Sequence, residues 1–211
     1  MRSLAGVETY VVRVWLPDRP GALGQVASRI GAVHGDVIGI DILERGGGSA
    51  IDELTVSLPG DNLVDLLVSE IRQVDGVAVE DVRRVDSTRP DATIAALDVA
   101  AQLIESPVEQ RRQCFCDGVA ALLDGDWCVI VGNADGAVRA ASGDPPDLGW
   151  LAAFFDGSRH LDASAESAPG DIAWAYLDRI GAAVATGRKG RPFHARERQE
   201  LSVLARIFCA V

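Results

Sequence analysis

The sequence predicts an α+β protein in two domains, and two patterns carry that prediction. In the first part of the chain the apolar period switches between two and about 3.6 in the order strand, helix, strand, strand, helix, strand. After a polar, proline-containing joint, helical spacing brackets a second set of alternating runs, the mark of an antiparallel sheet with helices at both ends. At 211 residues the chain has room for two domains, each of about 100 residues and each able to close a core. A composition of 48% hydrophobic and 24% charged residues is that of an ordinary globular protein rather than a disordered one.

The elements follow in order. Tyr10, Val12, Val14 and Leu16 alternate with Val11, Arg13 and Trp15, a strand with one face in a core. Leu23, Val26, Ala27, Ile30 and Val33 then fall on one stripe of a helix, which His34-Gly35 ends with glycine as the left-handed cap. Ile38, Ile40 and Ile42 form a second strand, "RGGGS" a flexible turn, and Leu54, Val56 and Leu58 a third strand, so this pair reads as a hairpin. Leu63, Leu66, Leu67, Ile71 and Val74 return to helical spacing, and "DGVAVEDVRRV" gives a turn and a last strand. This is the split ferredoxin-like order, one antiparallel sheet with two helices on one face. Trp15, Val11, Val37 and Leu43 are expected on the other face, which predicts a partner there or along a sheet edge.

The junction "LPDRPGALGQ" carries the chemistry. Pro20 suits the first helical position, because its dihedral is preset and its missing donor would have been orphaned anyway. Gly21, Ala22 and Leu23 then present backbone amides at the positive end of the helix, where a carboxylate binds. Asp18 is placed either to cap those amides or to accept from an ammonium, so the corner suits a zwitterion. Gly21 and Gly24 leave room for a ligand or a partner backbone. The same residues also make a good plain helix start, and the residues alone leave both readings open.

The element order, together with "LPDRPGALGQVASRIGAVHGDVIGIDI", resembles an ACT domain over residues 8–86. That resemblance implies a regulatory module binding an amino acid or other small effector between this corner and a neighbouring domain, in a homodimer. Its contact positions fall here on Asp18, Arg19, Pro20, Gly21, Ala22 and Leu23, and at the start of the second strand on Asp36, Val37 and Ile38. Family members that bind amino acids often carry a polar residue, frequently Asn, where this chain has Val37; Asp36 beside it is the substitute on offer.

Residues 87–94 read as a linker, and 95–211 as the second domain. Ile94, Leu97, Val99, Leu103 and Ile104 are helical, Pro107 breaks the run, and a second helix covers Val108 to Leu123. A hairpin from Trp127 to about Ala141 turns at "NADG". A short helix follows with Leu148, Leu151, Ala152 and Phe155 on one side, then a strand pair turning near Asp178-Arg179 and a last helix holding Leu201, Leu204, Ile207 and Phe208. The stretch "DIAWAYLDRIGAAVATGRKGRPFHARERQELSVLARI" is similar to a GAF-like sensor domain, with Phe193 as a hydrophobic staple, Glu197 in a capping box, and His194 where Ser or Thr caps better. No ligand follows from that resemblance.

Charge and motifs narrow the function. A formal charge of -11 repels phosphate backbones and anionic lipid, so neither nucleic acid nor a membrane is expected as partner. The "GRKGRP" cluster reads as a solvated loop. No apolar run approaches the ~18 residues that span a bilayer, and Glu8 and Arg13 interrupt what could have been a secretory signal. Cys114, Cys116, Cys128 and Cys209 form no CxxC pair and lack further metal ligands at useful spacing, which suits reduced thiols in a cytoplasm. Asp156, Ser158, His160 and Asp162 crowd into "DGSRHLD", but a hydrolytic triad draws its members from separate elements. HExxH, GKS or GKT, and GxGxxG after a strand are all missing. The expectation is a non-catalytic, cytoplasmic regulatory protein without cofactor or metal, binding an amino-acid-class effector as a homodimer. The alternative is an interaction module with an empty corner.

Overall fold

The computed structural model describes residues 7–158 and 170–211. The chain divides into two compact units, 1–91 and 92–211, each built on a four-stranded antiparallel sheet.

The first unit runs β1 (Glu8–Pro17), α1 (Ala22–Ala32), β2 (Asp36–Gly46), β3 (Ser49–Leu58), α2 (Val64–Ile71) and β4 (Ala78–Val85). Its sheet order is β2-β3-β1-β4, the ferredoxin-like arrangement that the periodicity predicts. The alternation in β1 sends Tyr10, Val12, Val14 and Leu16 into one core with Leu54, Val56 and Leu58 of β3, Val26 and Ile30 of α1, and Leu67 and Ile71 of α2. Leu66, part of the helical spacing in sequence, is exposed. Gly47 and Gly48, at φ 60° and 82°, make the two-residue turn whose twist matches the β2–β3 hairpin.

Two expectations are corrected here. His34, not Gly35, takes the left-handed conformation after α1, at φ 62°. Gly35 is there for space, since a Cβ would lie 2.9 Å from Ile30 Cγ2 and 3.0 Å from Leu58 Cδ2. The second correction concerns the sheet face away from the helices. Val37 pairs with Val56 and packs against the helix-side core. Val11 and Trp15 do face away from the helices as the alternation predicts, but that face also carries an ionic network, with Arg13, 1% exposed, on Glu53 at 2.7 Å and Arg83 bridging Glu53 and Asp81. Trp15 is 40% exposed and donates its indole N–H to Glu80. With Val11 already covered and charges stitched across it, this face gives less hydrophobic reason for a partner than the sheet edge does.

The second unit runs α3 (Ala92–Glu105), α4 (Arg111–Leu122), β5 (Trp127–Gly132), β6 (Val138–Gly143), α5 (Leu148–Ser158), β7 (Ile172–Leu177), β8 (Ala182–Gly187) and α6 (Ala195–Ala210). Its sheet order is β6-β5-β8-β7. One face packs on α3, α4 and α6 through Leu103, Phe115, Val119, Ile130, Val184, Leu201 and Phe208, and the other on α5 through Leu151, Phe155 and Trp174. In α5 Leu148 and Ala152 are exposed, against expectation. Phe154 packs half-buried against that core in their place, edge-on to Trp174 at 5.0 Å. Phe193 is buried beneath the Arg188 guanidinium, 3.9 Å from its ring centre, and the His194 N–H donates to Glu197 at 2.9 Å, the capping-box bond that opens α6.

Candidate functional site

The β1–α1 corner is built by Gly21. At φ 86° it forms the N-cap of α1 with no side-chain cap, and the first helical bond runs from Gln25 N–H to its carbonyl at 3.0 Å. The helix therefore opens at Ala22, and Pro20 lies outside it rather than at its first position. The physical reason is that a glycine able to turn left-handed ends the preceding turn one residue later than a proline-started helix would. The Ala22 amide donates to the Arg19 carbonyl at 3.3 Å, and its side chain is 1% exposed. What is left without a backbone acceptor at this corner, among the described residues, is the set of amides of Gly21, Leu23 and Gly24, the last two in the first turn of α1. Gly24 is a member of the site that the sequence offered only as a space-maker.

Asp18 does not cap these amides. Its Oδ1 is paired with Arg45 at 3.2 Å, both side chains well exposed, while its own N–H holds the Gly48 carbonyl at 3.0 Å. Arg19 reaches Gln25 Oε1 at 3.1 Å. Arg45 enters the site through register alone, because it lies opposite Ala50, which pairs with Leu16 at the end of β1.

Asp36, Val37 and Ile38 are not brought to the corner within one chain. Asp36 pairs with Ser57 and Val37 with Val56, rows that meet Thr9 and Tyr10 at the start of β1. At ~3.3 Å per residue that is about 20 Å from Leu16. Val37 is half-buried in the helix-side core, and Ile38 is exposed on the free edge strand β2.

One residue at the corner escaped the sequence reading. Asp52 of β3 pairs with Val14 and Ile42, so it faces the helices one row from Leu16, Ala50 and Arg45. It is 4% exposed, and its Oδ1 has no hydrogen-bond partner. Burial pushes its carboxyl pKa up, the Arg45 guanidinium works against that, and Asp18 adds to it. An acid held above its ordinary pKa costs stability when ionised and stops doing so as pH falls through the folded value.

Elsewhere, a groove of about 310 Å³ lies between α3 and α6, walled by Leu97, Ala100, Val203, Leu204 and Ile207, with Arg196 and Glu200 at its lip. The four cysteines are free; burial and the neighbouring Cys116 thiol push Cys128 well up. No group of three His, Cys, Asp or Glu among the described residues can hold a metal ion. No helix among them is long and apolar enough to cross a membrane. Of the "DGSRHLD" cluster, Ser158 is buried at the end of α5, and His160 and Asp162 lie outside the described residues.

No protein-family model matches the chain, and no curated protein matches it. Solved structures do. An unknown protein from Galdieria sulphuraria is 19% identical at a TM-score of 0.35, covering 46% of this chain, which spans 65% of that one. The ACT domain of GTP pyrophosphokinase from Chlorobium tepidum is 19% identical at a TM-score of 0.31, over 38% of this chain and 100% of its own. The C-terminal domain of the MgtC protein from Mycobacterium tuberculosis is 19% identical at a TM-score of 0.33, over 41% of this chain and 96% of its own.

Proposed function

We propose that this is a non-catalytic regulatory protein whose first unit, an ACT-like module, binds a small metabolite of the amino-acid class at the β1–α1 corner, at an interface with a second copy. The observation that carries the reading is the uncapped start of α1, where the Leu23 and Gly24 amides have no backbone acceptor beside Asp18. Such amides at the positive end of a helix bind a carboxylate. The second unit serves, in this reading, as a GAF-like sensor or docking domain.

The free edge supports the second copy. β2 is an eleven-residue edge strand that exposes Ile38, Ile40 and Ile42, and an apolar edge of that length is a template for pairing with another chain. A ligand held by the corner of one copy and the second strand of another binds only the assembled pair, and so shifts the population toward it. Ile40→Lys places a charge on that edge and is expected to convert a dimer to a monomer in sedimentation velocity. A wild-type chain that is monomeric at every concentration removes the interface.

The corner is tested by thermal shift against the twenty amino acids. Gly21→Asp sets a carboxylate beside the amides at a position where a Cβ meets nothing within 4 Å, and aspartate tolerates the left-handed conformation better than most residues. The expected result is a ligand response in the wild type that Gly21→Asp abolishes. A response that survives the substitution places the ligand elsewhere. The Asp18–Arg45 pair, which already satisfies the corner's acid, favours the second reading, an interaction module with no small-molecule ligand; that reading predicts silence across the panel.

A further inference from the structure

Resting on the corner reading above, we propose that Asp52 is the residue that selects ligands bearing an ammonium group, and that the ligand's ammonium takes the place of the Arg45 guanidinium. Buried polar atoms in folded proteins almost always have a partner, and an exception calls for a cause. Asp52 is such an exception, 4% exposed with Oδ1 unpartnered. It also lies on the helix side of the sheet one row from Leu16, the end of β1 that leads into the corner. Asp52 and Arg45 face the helices from adjacent rows of β3 and β2, and Arg45 reaches from there to Asp18 at 3.2 Å.

The charge balance of this group is uneven. Arg45 is paired with Asp18 and acts on Asp52 through charge rather than through a bond, while Arg19 is turned to Gln25. Two carboxylates near one cation leave a deficit of positive charge on the side of the sheet where β1 ends and leads into the start of α1. An α-amino acid carries both complements on one carbon, its carboxylate for the Leu23 and Gly24 amides and its ammonium for the acids. Arg45 is 61% exposed at its side chain, so it leaves for solvent without disturbing the core, and its departure leaves both acids without that cation. A carboxylic acid without the amine fills only the amide half.

Binding of the twenty amino acids and of their deaminated carboxylic acids, propanoate for alanine and so on, is measured by calorimetry on the full chain. In the wild type the best amino acid is expected to bind at least about tenfold tighter than its deaminated counterpart, the scale of one hydrogen bond to a charged group. Asp52→Asn, which preserves shape and removes an unpartnered charge, is expected to bring that ratio close to one while the carboxylic acid binds as before. Arg45→Ala, an exposed and non-core change, is expected to tighten amine-bearing ligands selectively. An unchanged ratio in Asp52→Asn, or no gain for amines in Arg45→Ala, overturns the role of Asp52 and leaves the corner standing. Silence of the wild type toward both sets overturns the corner itself and this proposal with it.

Discussion

Arg188→Ala is expected to cost the second unit about 3–5 kcal/mol, the range for removing one member of a buried ion pair. Arg188 is 0% exposed at its side chain and Glu197 8%. Its Nη1 donates to the Leu123 carbonyl at 2.6 Å, Nη2 to the Pro192 carbonyl at 2.7 Å and to both Glu197 oxygens at 2.7 and 2.9 Å, and Nε to the Arg191 carbonyl at 3.1 Å. One guanidinium thus ties the end of α4, the loop after β8 and the start of α6. Truncation removes the countercharge of a buried carboxylate and the donor to three carbonyls at once. A melting temperature lower by about 10–20 °C follows for a unit of this size. Lysine does not rescue it, because one ammonium cannot reproduce a planar fork aimed in several directions. The double change Arg188→Met with Glu197→Met is expected to lie closer to wild type than Arg188→Ala does, since no charge is then left buried. A loss below about 1 kcal/mol for Arg188→Ala would show that Glu197 finds solvent or another cation.

The order of elements in the first unit was legible because each element keeps one apolar period, and β1, with its four inward side chains, shows it most plainly. The errors cluster where a single residue changes the parity or the phase. β2 holds bulges between Val37 and Gly39 and between Ile42 and Glu44. Each extra residue reverses the in–out alternation beyond it, so Val37 sits inside where simple counting put it outside. At the helix start, Pro20 is a strong local signal, but a left-handed Gly21 wins because the chain must reverse direction between β1 and α1. His34 likewise holds a conformation that glycine would take more cheaply, while Gly35 is kept for its missing side chain.

The site was less legible than the fold, for a different reason. Gly21, Leu23 and Asp18 belong to one local stretch, and their juxtaposition needs no tertiary information. Asp52 comes from β3, which lies beside β1, and Arg45 from β2, one strand further out, and only the register shows that they face the same side. In sequence Asp52 stands just before the alternating Leu54, Val56 and Leu58, where an acid reads as the polar start of a strand. The same holds for Arg13, which in sequence merely interrupts an apolar run and in the sheet is one of the most deeply buried side chains.

Arg13→Ala is accordingly expected to destabilise the first unit by about 2–4 kcal/mol, somewhat below the full buried-pair range, because Glu53 keeps Arg83 at 3.3 Å. Arg13 and Glu53 are direct cross-strand neighbours, joined by bonds of 3.0 and 2.7 Å to one carboxylate oxygen. Burial alone would raise the Glu53 carboxyl, but Arg83 and Arg13 outweigh it and hold it below the usual range. A carboxylate with a lowered folded pKa contributes stability that is fully present above its unfolded value, about 4.3 for glutamate, and that is lost as pH falls through the folded one. The penalty of Arg13→Ala should therefore be largest near neutral pH and shrink as acid protonates Glu53 in both proteins. In the variant, burial meets less opposition, so Glu53 protonates at higher pH and the acid arm of its stability curve starts earlier. Urea unfolding of both proteins from pH 7 to pH 3 measures the two arms together. A difference that stays constant across that range would assign Arg13 a packing role, with its alkyl stem rather than its charge holding β1 to β3.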